Sequence, residues 1–159
     1  MNAKPILLIL LLVVSSHASI GQNDLSFYPV RSLVEATKDS VKPDAAKADY
    51  YFDGRQLKSR STVTFTGEVR KLTGEHRRFV ELWLESRGMP ANVIGALQQE
   101  AQFQEGKVVY WMPIRQKTLE LLQNDTKKGD RVEVYTILAG AVRVDSKIEP
   151  LFIIGGVSK

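Results

Sequence analysis

Once the first 18 residues are set aside, His76 is the side chain of this sequence best suited to acid–base or metal chemistry. The chain has two histidines and no cysteine, which excludes thiolate metal sites and cysteine nucleophiles. A metal site needs several converging ligands, and nucleophilic catalysis needs a base held beside a hydroxyl. The sequence around His76 shows no partner that would orient it. We therefore predict that His76 is a solvated helix residue, and that the protein has no catalytic residue, metal site or cofactor.

Carboxylates drawn from distant parts of the chain offer a second route to chemistry. A hydrolase of envelope polymers would hold two of them across a groove, with the pKa of one raised. The available glutamates are Glu68, Glu81, Glu85, Glu100 and Glu105. They alternate with arginine and lysine, which is typical of solvated faces. An envelope-polymer hydrolase is therefore the alternative hypothesis, and a protein without enzymatic activity is the first one.

Basic side chains are concentrated in one stretch of the sequence. Its members are Arg55, Lys58, Arg60, Arg70, Lys71, Arg77 and Arg78. If they lie together, Arg70, Arg77 and Arg78 would bind an anionic ligand such as nucleic acid or an acidic polysaccharide. However, the net charge of +4 is far from the dense positive charge of dedicated nucleic-acid binders. We do not expect nucleic acid to be the partner.

Amide side chains form a further candidate surface on two predicted strands, QEAQFQ and KVVYWMP. Gln102, Gln104 and Tyr110 are predicted to face outward, where they would hydrogen-bond a sugar or the backbone of a protein partner. Trp111 is predicted to pack in the core, because both faces of its strand are apolar. The leading functional hypothesis is a binding module for a protein partner or an envelope glycan.

The first residues, MNAKPILLILLLVVSSHAS, have the three-part pattern of a secretory signal peptide. Lys4 precedes an apolar run from Pro5 to Val14, which is too short to span a bilayer. The small residues Ser16 and Ala18 then precede the expected cleavage point. We predict a signal peptide over residues 1–18, and hence an exported protein that is periplasmic or secreted.

The rest of the chain has the length of one domain. Residues 19–28 are polar and without pattern, which predicts a flexible leader. Residues 29–159 are enough for a self-supporting core, and without cysteine no disulfide contributes to it. We predict a single domain over 29–159 with no transmembrane segment.

The predicted elements within this domain must position the candidate residues. Apolar spacing from Pro29 predicts a short helix that closes at Pro43, and Asp53-Gly54 favours the turn of a small hairpin. Alternation over 61–72 predicts a half-buried strand with a bend or bulge at Gly67. The later elements are helical pieces at 73–88 and 89–97, hairpin strands at 99–104 and 107–113, a helix at 114–125, and strands at 131–140 and 148–157.

Three local sequence patterns between residues 62 and 156 are similar to those of a known group of proteins. YWMPIRQKTLELL, KKGDRVEVYTILAG and PLFIIGG resemble uncharacterised exported bacterial proteins that look like OB-fold barrels. That plan is a five-stranded barrel with one helix between its third and fourth strands, and the resemblance implies no activity.

The predicted fold is α+β and mostly β. It has an N-terminal helix and hairpin in 29–60, and a small five-stranded OB-like barrel in 61–157 with a helical insertion after its first strand. Another small α+β barrel, such as an SH3-like one, is the alternative, and it would lack a full helix at 114–123.

Overall fold

The computed structural model describes residues 27–41 and 48–159 of the chain. The helices and strands of these residues are α1 (Leu33–Ser40), β1 (Tyr50–Lys71), α2 (Gly74–Ser86), α3 (Ala91–Gly95), β2 (Gln99–Glu105), β3 (Val108–Ile114), α4 (Gln116–Asp125), β4 (Arg131–Val144) and β5 (Lys147–Ser158). The fold is therefore mostly β, as predicted. The predicted signal peptide, most of the predicted leader and Pro43 lie outside the described residues.

The five strands form one antiparallel sheet with the order β3-β2-β1-β4-β5. The sheet curls, so that its two edge strands approach each other and the rings of Tyr110 and Phe152 meet edge to face at 5.7 Å between centroids. No hydrogen-bonded pairing joins β3 to β5 within the described residues. The sheet is open, and the predicted closed barrel is not confirmed.

The predicted hairpin at Asp53-Gly54 is wrong, because β1 runs through this pair as one strand of 22 residues. The pair instead forms a bulge, where the register against β4 shifts between Phe52 and Leu57. The buried Asp53 carboxylate accepts the backbone N–H of Arg55 at 2.9 Å, and Gln56 takes a positive φ of 51°. The hydrogen bond and the positive φ expected of a turn are present, but they bend the strand and do not reverse its direction.

Most other predicted elements are confirmed. Helix α2 begins after Thr73, and Gly88 follows its end with a φ of 65°. Strands β2 and β3 form a hairpin around Gly106, and α4 is a full helix between β3 and β4. Gly67 lies where the register between β1 and β2 shifts, so the predicted bulge is also confirmed.

Two apolar clusters cover the two faces of the sheet. The concave face packs Phe65, Phe103 and Phe152 against α1 and α4. The other face packs Leu151 and Ile153, among others, against α2 and the segment leading to β2. Helix α2 is thus an insertion that closes the outer face of the sheet. None of the helices in the described part of the chain is long and apolar enough to cross a membrane.

Tyr28, which the sequence assigned to the leader, is buried. Its ring meets Tyr135 of β4 edge to face at 5.8 Å between centroids, and the Lys58 ammonium lies 5.3 Å from its centroid. Residues next to it pair with β1, since Arg60 N donates to Pro29 O at 2.9 Å. This end of the expected leader therefore belongs to the packed structure.

Candidate functional site

The candidate site is built where the first turn of α2 meets the sheet. His76 stands in that turn, and its side chain is buried, at 5% exposure for the residue. The helix turns His76 toward the sheet together with Phe79 and Trp83, because three- and four-residue spacing places side chains on one helix face. The prediction of a solvated His76 is wrong.

Both ring nitrogens of His76 meet a carboxylate. Nδ1 lies 2.8 Å from Oε2 of Glu100 on β2, and Nε2 lies 3.1 Å from Oε2 of Glu149 on β5. Two hydrogen bonds to carboxylates require both ring nitrogens to donate, so this arrangement favours the protonated imidazolium. Glu100 also accepts a hydrogen bond from Nε of Arg70, its cross-strand partner on β1.

The two carboxylates set the charge state of His76. Burial lowers the pKa of His76, but the hydrogen bonds and negative charges of Glu100 and Glu149 outweigh burial and raise the pKa above its ordinary value of 6.5. With His76 protonated, Arg70, His76, Glu100 and Glu149 carry two positive and two negative charges. This pairing allows the buried members, His76 and Glu100, to be charged where an isolated charge would be costly.

The sequence predicted Glu100 to be solvated, which is also wrong, since Glu100 is 1% exposed. Its neighbours on the same strand face, Gln102 and Gln104, are more exposed. What buries Glu100 is the first turn of α2 lying over it. No local pattern carries that information, because His76 and Glu100 are 24 positions apart and His76 and Glu149 are 73 apart.

Trp111 lies half-buried beside this cluster, against Arg70. Its ring lies half-buried on the outer side of β3, with the Arg70 guanidinium carbon 4.0 Å from the ring centroid. Two adjoining grooves share Trp111, His76 and Glu149 in their walls, with volumes of about 310 Å³ and about 380 Å³. The prediction of a core Trp111 was wrong, and the alternation of β3 buries Tyr110 and Met112 in its place.

The predicted binding residues divide into two groups. Arg70 is in the cluster, and Gln102 lies directly across from Trp111 in the β2–β3 register. Gln104 is exposed and donates to Gly106 O at 2.8 Å. Tyr110 does not face outward as predicted, because it is 5% exposed in the core, where burial and the nearby charge of Glu105 raise its pKa to about 12.

Arg77 and Arg78 lie on the exposed side of α2, away from the cluster. Arg77 pairs with Glu81 one turn along the helix, with 2.8 Å between Nε and Oε1. Other arginines of the predicted basic stretch are paired as well: Arg55 with Asp53 and Arg60 with Glu133. Pairing with carboxylates removes much of the anion-binding capacity that the sequence suggested for this stretch.

Within the described residues, no group of three or more histidine or carboxylate side chains is placed to hold a metal ion. The arrangement at His76 is therefore a charge-balanced cluster beside two open grooves. Two members of the cluster, Arg70 and Glu149, and the half-buried Trp111 beside it present a guanidinium, a carboxylate and an aromatic ring to a ligand in these grooves. Comparison of the chain with protein-family models, with curated proteins and with solved structures finds no match.

Proposed function

We propose that this protein is an exported binding module without enzymatic activity, and that it binds an envelope glycan at the Trp111 face. This face is defined by Arg70, Gln102, Trp111 and Glu149. The observation that carries the proposal is the position of Trp111, half-buried in the wall shared by two grooves beside a fixed carboxylate.

Sugar recognition suits these side-chain types. A pyranose ring has an apolar C–H face and a rim of hydroxyls, so it complements an aromatic surface bordered by planar polar groups. Arg70 and Glu149 are held in place by Glu100 and His76, so little side-chain entropy is lost when a ligand binds. The grooves also have no excess charge, which favours a neutral ligand over phosphate or nucleic acid.

A hydrolase is the second candidate, because two carboxylates, Glu100 and Glu149, converge on His76 beside these grooves. Glycosidases, however, need open space between their carboxylates for a water molecule or the sugar itself. Here the imidazole ring of His76 fills the interval between Glu100 and Glu149 and hydrogen-bonds both. This packing supports binding more than hydrolysis.

The fold and the location are part of the same proposal. The strand order, the approach of β3 to β5, and α4 between β3 and β4 support an OB-like, partly open barrel. The apolar run from Pro5 to Val14 supports export. An exported module of this kind would meet glycans of the cell envelope.

Sedimentation with purified peptidoglycan sacculi tests the proposal. We expect the wild-type chain to pellet with sacculi, and Trp111→Ala and Glu149→Gln to lower the bound fraction several-fold. Leu121→Ala is the control, because it removes an exposed apolar side chain from α4. Cooperative unfolding of each variant establishes that it is folded.

Three results would count against glycan binding: wild-type protein left in the supernatant, variants that pellet like wild type, or an equal loss in Leu121→Ala. Release of soluble sugar fragments by the wild type, but not by Glu149→Gln, would establish the hydrolase in its place.

A further inference from the structure

A separate groove of about 610 Å³ lies where β1 ends, α3 leads into β2 and α4 begins. It shares no lining residue with the grooves beside His76. The polar side chains in its wall are three cations and three amides, namely Lys71, Arg115, Lys117, Gln98, Gln99 and Gln116. None of the described carboxylates lines it, so the described wall of the groove carries an uncompensated positive charge.

The three cations are available to a ligand. Unlike Arg70 and Arg77, which pair with glutamates, Lys71, Arg115 and Lys117 make no ion pair with the described part of the chain. Arg115 is also the residue that precedes α4, and no side chain in the described part of the chain caps the N–H groups of that first turn. The helix end adds donors to a groove that is already cationic.

A groove of about 330 Å³ adjoins the basic one and shares Arg115 with it; its wall is mostly apolar and also contains Gln56 and Lys58. Its wall includes Leu84, Met89, Leu97 and Ile153 from the outer face of the sheet and the helices over it. Trp83 also lines it, and its indole N–H is buried without a hydrogen-bond partner within the described residues. Buried polar atoms of this kind are normally paired, so the Trp83 N–H points to a missing acceptor.

We propose that the two grooves together bind one anionic amphiphile. Its phosphate-bearing headgroup lies among Lys71, Arg115 and Lys117, and its apolar chain lies along the groove that contains Met89. Three positive charges and free backbone N–H groups complement the charge and the oxygens of a phosphate. An oxygen between head and chain, as in a glycerol ester, would accept from Trp83. This site is independent of the Trp111 face and of its proposed ligand.

Isothermal titration calorimetry with the purified full chain tests the assignment. The probes are dihexanoyl phosphatidic acid, dihexanoyl phosphatidylcholine and inorganic phosphate. Both lipids are kept monomeric in solution. We expect phosphatidic acid to bind tightest and inorganic phosphate to bind at least about tenfold more weakly, because inorganic phosphate lacks the apolar chain. Every variant keeps the same apolar N-terminal run, so differences between variants report the grooves.

Different variants test the binding of the headgroup and the binding of the apolar lipid chain. Arg115→Gln and Lys117→Gln should each weaken phosphatidic acid about tenfold, whereas Lys107→Gln removes a charge from the β2–β3 turn and should change nothing. Met89→Gln should weaken phosphatidic acid and leave inorganic phosphate unchanged. Met89 is 43% exposed, so this variant is expected to fold.

Equal affinity for the two lipids, or an equal loss in Lys107→Gln, would overturn the proposal. Two other results would identify a site for free phosphate and overturn the proposal of an amphiphilic ligand. One is inorganic phosphate binding as tightly as phosphatidic acid, and the other is Met89→Gln binding phosphatidic acid like wild type.

Discussion

Nδ1 of His76 lies 2.8 Å from Oε2 of Glu100, and the two side chains are 6% and 1% exposed. The contact fastens the first turn of the inserted helix α2 to strand β2, inside the apolar cover of the sheet. Glu149 on β5 and Arg70 on β1 complete it. One charge-balanced cluster thus joins α2 to three of the five strands, and it also holds the residues of the Trp111 face in place.

Removal of the imidazole should destabilise the protein strongly. In His76→Ala, Glu100 stays buried and keeps Arg70 as its only charged partner among the described residues, so we expect the free energy of unfolding to fall by about 3 kcal/mol. Arg77→Ala is the matched control on the same helix, because it breaks an exposed pair and should cost about 0.5 kcal/mol or less. Urea denaturation measures both. Equal small losses would mean that the cluster adds little to stability.

Stability should depend on pH through His76. Its pKa is raised in the folded state, so the folded protein holds its proton more tightly than the unfolded chain. The resulting stabilisation is complete below the unfolded value and is lost as the pH rises through the folded pKa. Denaturant midpoints taken between about pH 6 and pH 9 should fall with rising pH, and His76→Gln should flatten this part of the curve. A midpoint that rises over this interval in wild type relative to His76→Gln contradicts the assignment.

Glu105 should stabilise α1 from outside that helix. Its two carboxylate oxygens accept the N–H groups of Leu33 and Val34, each at 3.0 Å, so a side chain at the end of β2 caps the helix. Glu105→Ala should cost about 1–2 kcal/mol of unfolding free energy. It should also speed amide exchange in α1. Glu68→Ala, at an exposed position on β1, is the control and should change neither.

Gly140 should not tolerate a side chain. A Cβ there would stand 1.8 Å from the backbone oxygen of Tyr51, and the residue has a φ of 150°. Because backbone atoms cannot move aside cheaply, Gly140→Ala should cost about 3 kcal/mol or more and separate β1 from β4 locally. At Gly54 an added Cβ meets nothing within 4 Å, so Gly54→Ala is the matched control. Similar melting temperatures for the two variants would rule out this close approach.

Local patterns were sufficient for most elements. The helical spacing in α2 and α4, the Gly106 turn and the alternation of β1 all act within a few residues, so the sequence predicts them correctly. The predicted Asp53-Gly54 hairpin is wrong because strand pairing outweighs the local turn. The pair forms its local turn, but continued pairing of β1 with β4 on both sides of the bulge keeps the strand in one direction.

The sequence by itself determined the mostly β character, the order of elements from α2 onward, the absence of disulfides and the apolar N-terminal run. Only the tertiary structure decided which charges are buried and which meet. His76 and Glu100 look like solvated residues in the chain, and Lys71 and Arg115 look unrelated. Their surroundings come from strand register and from the packing of α2 and α4 over the sheet. Since solvation and pairing of a charge depend on everything around it, no local spacing encodes them.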